Sequence, residues 1–139
     1  MNVFFYGLFM DEALLAKKGI TPSNAEVGYV DEYALRIGER ATLVSSAGAR
    51  SYGILMNISS DQAKELYSDK GVADYVPESV IVELLGGSKA EAKCYNLRVD
   101  KITGANKIYA EALLEVASKR GLPESYLVEI RKECEEIEK

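Results

Sequence analysis

The sequence predicts an α+β domain in which strands dominate most of the chain and two helices close it. β-branched and aromatic runs separated by turn residues fill residues 1–100, and a helical apolar stripe takes over after Gly104. The length of 139 residues fits one domain, residues 1–139, which can build its own core. We expect the strands to form a small mixed barrel with one internal helix, although periodicity alone does not show closure.

The first strands are marked by apolar and aromatic runs. Residues 3–6 read as a buried strand that stops at Gly7, and residues 26–37 as an extended segment. Residues 41–44 and 52–56 read as two further strands. Because the segment between them is rich in serine, alanine and glycine, we expect these two strands to form a hairpin.

Two helices are expected in the first half of the chain. Residues 11–18 form a short one, closed by Gly19. The second follows Ser59, which with Gln62 has the pattern of a capping box. It is expected to end near Gly71, a favourable glycine stop.

The second half of the chain begins with two strands. Residues 75–85 are a long apolar run in which Pro77 must lie at a strand start, an edge or a bulge, because proline has no N–H. The turn at residues 86–87 leads into a strand over residues 90–99.

Two C-terminal helices follow, separated by Gly121-Leu122-Pro123. The expected apolar face of the first is Ile108, Ala112, Leu113, Val116 and Ala117. The expected face of the second is Tyr126, Leu127, Ile130, Cys134 and Ile137.

Composition excludes several classes of function. The net charge of −5 and the pI near 4.9 argue against nucleic-acid binding, which needs clustered Lys and Arg. The start of the chain lacks the features of a signal peptide, and no apolar run is long enough to span a membrane. Cys94 and Cys134 form no disulfide pattern, so we expect a cytoplasmic protein.

The chain contains no histidine. This excludes Ser-His-Asp and Cys-His nucleophile systems as well as His-ligated metal sites. The two separated cysteines do not make a structural zinc site either, so we predict no metal. Acid-base chemistry would have to come from carboxylates, Lys, Tyr or Cys.

Six motifs occur in an order that resembles the γ-glutamylcyclotransferase-like family, which includes plant avirulence-induced-gene relatives. They are Tyr6-Gly7-Leu8-Phe9-Met10, Ala41-Thr42-Leu43 with Tyr52-Gly53-Ile54-Leu55, Leu66-Tyr67-Ser68-Asp69-Lys70-Gly71-Val72, Tyr75 with Val80 and Val82, Ala92-Lys93-Cys94-Tyr95, and Gly121-Leu122-Pro123-Glu124-Ser125-Tyr126. Each motif alone is weak. The ordered set spans nearly the whole chain, and the family fold that it implies is a small β-barrel.

The resemblance also implies a reaction and a site. Family members cyclise γ-glutamyl amines to 5-oxoproline without a metal or an organic cofactor. The loop that matches residues 6–10 holds the glutamyl head, partly through backbone N–H groups. By this resemblance, the substrate-binding residues are Tyr6, Gly7, Leu8, Phe9, Tyr75 and Tyr95.

The sequence departs from the family at its catalytic position. Lys70 stands where the family has the glutamate that acts as general acid-base. A charged lysine cannot accept a proton, so ordinary activity is not expected. The possible substitute bases are Asp69, Glu78 and Glu83. Equally, Lys70 fits a solvated residue at a helix end.

A second departure lies in the first motif, where Leu8 replaces the hydroxyl residue of typical members. Backbone donors of this loop would survive that change. Three functions remain open: a cyclotransferase with a substitute base, a non-catalytic relative that binds a small anion through Lys70, and an interaction module. The expected partner is a small molecule, γ-glutamyl or otherwise anionic, and the oligomeric state is left open.

Overall fold

Five strands close into a barrel in the computed structural model, which describes the backbone of residues 1–138 and the side chains of residues 1–135. The strands are β1 (Asn2–Phe5), β2 (Ser23–Ile37), β3 (Ala41–Asn57), β4 (Val76–Leu84) and β5 (Lys89–Asn96). The helices are α1 (Glu12–Lys17), α2 (Ser60–Leu66), α3 (Lys107–Lys119) and α4 (Glu124–Glu138). The predicted α+β barrel fold is confirmed.

The barrel has the strand order β1-β3-β2-β4-β5 and is mixed, because β1 runs parallel to β5 while the other neighbours are antiparallel. β1 is short, and Val3, Phe4 and Phe5 on it are buried. Successive side chains of a strand point to opposite faces, so β1 is covered both inside and outside the barrel. The chain leaves the sheet after Phe5 and forms a 3-10 turn at Leu8–Met10.

The predicted hairpin over residues 41–56 is wrong. β3 is one continuous strand that pairs along its length with β2, and the reversal between them lies at residues 38–40. The small polar residues that suggested a turn are part of the strand pair. They mark a break in the pairing and not a reversal of the chain.

That break is a bulge in β3. Asp31 and Tyr33 of β2 are both paired, and four residues of β3, 46–49, lie opposite the single Glu32 between them. Gly48 has a φ of +79°, and its N–H donates to Glu32 Oε2 at 2.8 Å. Glycine and small polar residues suit this irregular backbone for the same reason that they suit turns.

The capping box of α2 is confirmed. Ser59 Oγ accepts from the N–H of Gln62 at 3.0 Å, and Gln62 Oε1 accepts from the N–H of Ser59 at 3.0 Å. The predicted end near Gly71 is wrong, because α2 ends at Leu66 and Gly71 does not adopt the left-handed conformation of a glycine stop. Tyr67, the first residue after α2, packs its ring on Tyr95 of β5.

The bounds of β4 and β5 differ from those predicted from the sequence. Pro77 is the second residue of β4, and this end of the strand pairs with β5 only, so the proline lies at a strand start and a sheet edge, as predicted. β5 ends at Asn96, and Val99 is 75% exposed in a 3-10 turn, so the predicted strand to residue 99 is too long. The ladder stops because the N–H of Leu97 donates to the side chain of Thr42 at 2.8 Å.

The C-terminal helices pack on each other, and α3 also contacts the 3-10 turn after β1. Ile108 is 82% exposed, so its predicted place in the core is wrong. The cap at Asn106 places Ala110, Leu113 and Ala117 on the buried face of α3. On α4, the predicted Tyr126, Leu127 and Ile130 are buried, Cys134 is half-buried, and Ile137 lies outside the described side chains.

Within residues 1–138, no helix combines the length and the apolar character needed to cross a membrane.

Candidate functional site

A cavity of about 190 Å³ lies beside the end of β1. The segment after β1, the β2–β3 turn, the loop after α2, β5 and α3 surround it. Its lining consists of Phe4, Phe5, Tyr6, Gly7, Leu8, Phe9, Leu14, Arg40, Ala41, Tyr67, Gly71, Val72, Tyr75, Tyr95 and Tyr109. The structure thus brings together the six residues that the resemblance assigned to substrate binding.

The loop after β1 is fixed by hydrogen bonds and by close packing. The hydroxyl of Tyr6 donates to the carbonyl of Tyr95 at 2.6 Å, and the N–H of Met10 donates to the carbonyl of Gly7 at 3.1 Å. A Cβ on Gly7 would lie 3.0 Å from the hydroxyl oxygen of Tyr109. Glycine therefore allows α3 to approach this loop closely.

Aromatic rings form one wall of the cavity. The rings of Tyr67 and Tyr95 stack with centroids 3.9 Å apart and an interplanar angle of 8°. Tyr75 and Phe9 flank Tyr67 with centroids at 6.1 and 6.0 Å. Tyr67, at the C-terminal end of α2, is thus the central ring of this wall.

The tyrosine hydroxyls around the cavity stay protonated near neutral pH. Burial raises the pKa of Tyr6, Tyr67, Tyr75 and Tyr109, and loss of solvent also raises that of Tyr95. Burial disfavours the phenolate because it removes the water that stabilises the charge. These groups can donate or accept hydrogen bonds, but they cannot serve as bases at pH 7.

Arg40 is the charged residue of the described lining, and it comes from the β2–β3 turn. Its Nη1 donates to the carbonyl of Gly71 at 3.0 Å, and its Nη2 lies 3.2 Å from Asp74 Oδ2. Its guanidinium carbon lies 5.6 Å from the ring centroid of Tyr75, whose hydroxyl donates to the carbonyl of Ala41. These contacts tie the β2–β3 turn to the loop after α2.

Two residues named as catalytic candidates lie outside the lining: Lys70, at the family's glutamate position, and Asp69, a possible substitute base. Lys70 is exposed, although the next residue, Gly71, borders the cavity. Asp69 is also exposed, and its Oδ2 lies 2.9 Å from Lys18 Nζ. The hydrogen bond from Lys18 lowers the pKa of Asp69. The structure does not bring Asp69 together with the loop after β1.

The other two carboxylates considered as substitute bases are also elsewhere. Glu78 accepts from the hydroxyl of Tyr33 at 3.4 Å on the exposed part of β4. Glu83 pairs with Lys89 at 3.4 Å. No residue in the described lining carries a carboxylate. Among the described side chains, no group of three or more Cys, Asp or Glu residues is placed to hold a metal ion.

Sequence reasoning missed several residues of the site. Arg40 lies in the turn between β2 and β3, and the sequence predicted a turn at a different place. No local sequence pattern marks Arg40 as a site residue. Tyr109 was missed because the predicted stripe of α3 was out of phase. Tyr67 was named only as part of the third motif, without a role at the site. A correct phase for α3 would have found Tyr109, because it lies one turn before the buried Leu113 on the helix.

Solved structures share this fold. A γ-glutamyl cyclotransferase superposes with a TM-score of 0.74 at 17% identity, over 94% of this chain and 85% of that chain. A yeast γ-glutamyl cyclotransferase specific to glutathione superposes with a TM-score of 0.70 at 12% identity, over 99% and 96%. YkqA from Bacillus subtilis reaches 0.78 at 20% identity, over 97% of this chain and 54% of that chain. The barrel is therefore of the γ-glutamylcyclotransferase-like type.

The sequence comparison defines the family. The AIG2-like family matches residues 50–130, more than half of the chain. The chain belongs to the AIG2-like family, and the resemblance read from the motifs is confirmed at that level. No curated protein is significantly similar to the chain in sequence.

Proposed function

We propose that the protein binds a small molecule in the cavity and does not carry out the ordinary acid-base cyclisation of the family. The observation that carries this proposal is the absence of a carboxylate from the described lining. Cyclisation of a γ-glutamyl amine requires the α-amine to lose its proton before it attacks the γ-carbonyl. A positioned base supplies typically ~10²–10⁴ in rate for such a step.

The groups that do line the cavity cannot replace that base. The tyrosines keep their protons at pH 7, because burial raises their pKa values. Arginine stays protonated in proteins and has no acceptor. Lys70, which occupies the family's glutamate position, is exposed and lies outside the lining.

The dimensions of the cavity support a small ligand. The volume of the cavity is about 190 Å³. It is below the ~300–1,000 Å³ of pockets that hold drug-sized ligands. The aromatic lining with few polar groups is nevertheless the usual composition of a binding pocket.

A cyclotransferase with a substitute base is the competing function. It requires a carboxylate beside the loop after β1. Asp69 would have to leave Lys18, and Glu78 and Glu83 would have to leave the outer part of β4. The contacts of these three residues favour binding without turnover.

The test is release of 5-oxoproline from a panel of γ-glutamyl amines, comparing the native chain with Lys70→Glu. We expect no release by the native chain, because its described cavity lining holds no base. Release by Lys70→Glu alone would show that the missing carboxylate is the reason. Turnover by the native chain would overturn the proposal, and Asp69→Asn would then identify the base.

The cytoplasmic location and a role as an interaction module remain predictions.

A further inference from the structure

We propose that the ligand is a compact monoanion with an apolar body and no ammonium group, and that Arg40 binds its anionic group in place of Asp74. This inference rests on the proposed binding function and names the chemical class of its ligand. It differs from the expectation that Lys70 would bind the anion, because Lys70 does not border the cavity.

The charge of the cavity comes from Arg40. Its side chain is 28% exposed, so it is largely withdrawn from water and its interactions are weakly screened. An arginine has five N–H donors in a planar fork that matches a carboxylate. Two of these donors contact Gly71 and Asp74, and a ligand anion would take the position of Asp74 on the fork.

Asp74 is a weak competitor for the guanidinium. Its side chain is 50% exposed, and it reaches Arg40 through one contact at 3.2 Å. Ion pairs at such exposure contribute little to stability, since water competes for both charges. The carbonyl of Gly71 holds the other side of the guanidinium, so the fork stays at the cavity when Asp74 is displaced.

The cavity disfavours an ammonium group. No carboxylate in the described lining could pair with it, and burying an unpaired charge is costly. Ring faces could attract a cation, but the stack of Tyr67 and Tyr95 uses one face of each ring, and Arg40 already lies over the ring of Tyr75. Arg40 itself would repel an ammonium placed next to the anionic group.

Three probes of matched shape separate these charges. Hexanoate has the anion and an apolar body, hexanamide lacks the charge, and norleucine adds an α-ammonium. We expect calorimetry with the full chain to show hexanoate binding at least about tenfold more tightly than either relative, because a charge-assisted hydrogen bond is worth that much. Equal binding of hexanamide or norleucine, or no binding of hexanoate, would overturn the inference.

Variants then assign the anion to Arg40. Arg40→Gln should weaken hexanoate binding about tenfold and leave hexanamide unchanged. Asp74→Asn should tighten hexanoate binding, an outcome that misfolding cannot produce. Arg98→Gln is the matched control, since Arg98 is 72% exposed and pairs with Asp100 away from the cavity. Unchanged hexanoate affinity in Arg40→Gln, or no gain in Asp74→Asn, contradicts the assignment.

The two proposals fail in different ways. Release of 5-oxoproline by the native chain contradicts binding without turnover, whatever the affinity for hexanoate. Absence of release together with equal binding of norleucine and hexanoate contradicts only the charge preference.

Discussion

Lys70 and Gly71 are neighbours in the sequence, yet only Gly71 borders the cavity. The motif order was enough to place this loop at the site. It could not give the direction of a side chain in a loop, where neither helical nor strand periodicity applies. For the same reason, the sequence could not show that Asp69 contacts Lys18 and not the loop after β1.

The described lining holds no group that titrates near neutral pH, which has a consequence for binding. Hexanoate affinity should stay constant between about pH 6.5 and 8.5, because the ligand carboxylate is ionised and Arg40 is protonated over this range. The raised pKa values of Tyr75 and Tyr109 keep both phenols neutral. Calorimetry at three pH values checks this.

A cavity that held a base would behave differently. A lining group with a pKa between about 6.5 and 8.5 would change its charge over this pH range. The affinity for hexanoate would then change several-fold, because a shift of one pKa unit on binding corresponds to about a factor of ten in affinity. Such a change would contradict the description of the lining.

Ser59 is the clearest example of a residue whose role was predictable from the sequence alone. Ser59→Ala should lower the free energy of unfolding by about 1 kcal/mol, because the side-chain cap is lost at the start of α2. Urea unfolding measures this. Ser60→Ala is the control one residue later, and equal losses in both variants would show that the cap is not the cause.

At the scale of elements, the sequence correctly predicted those features that residues close together in the chain determine. The first strand, the short α1 and the cap of α2 follow from runs and capping residues within a few positions. The bulge in β3 could not be predicted, because it depends on pairing with β2 and not on the residues of β3 alone. Because residues 46–49 have the composition of a turn, the sequence predicted a reversal of the chain where the structure has a bulge.

The pairing of β1 with β3 requires a glycine at position 53. A Cβ there would lie 2.8 Å from the ring of Phe4 and would also meet the carbonyl of Phe5. Gly53→Ala should therefore destabilise the protein by about 1–3 kcal/mol, the usual cost of overpacking. Thermal and urea unfolding measure the change.

Gly86→Ala serves as the comparison for this variant. Gly86 has no positive φ, and a Cβ added there would meet open space, so little effect is expected. If Gly53→Ala were as stable as the native chain, the close approach of β1 and β3 would not be a constraint.

At the scale of the whole molecule, the closure of the barrel was not contained in any single segment. β1 pairs in parallel with β5, ninety residues away along the chain, as the contact between Val3 and Lys93 shows (93 − 3 = 90). No periodicity reports such a pair, and the order of motifs across the chain predicted only a small barrel, not which strands pair. The site likewise depends on distant parts of the chain, because six separate stretches between residues 4 and 109 contribute to its lining.

The type of fold is shared with other proteins, whereas the chemistry at the cavity depends on the side chains that line it. The barrel is of the γ-glutamylcyclotransferase-like type, while the charge at the cavity is that of Arg40. Fold alone does not determine reaction, and the lining residues decide it.

The most direct test of this account is a single-turnover measurement with the native chain in excess over a γ-glutamyl amine at pH 7. Excess protein makes even a slow reaction visible. The account predicts no 5-oxoproline above the amount formed without protein. Formation of 5-oxoproline above that blank would contradict it, because a proton acceptor would then have to reach the cavity.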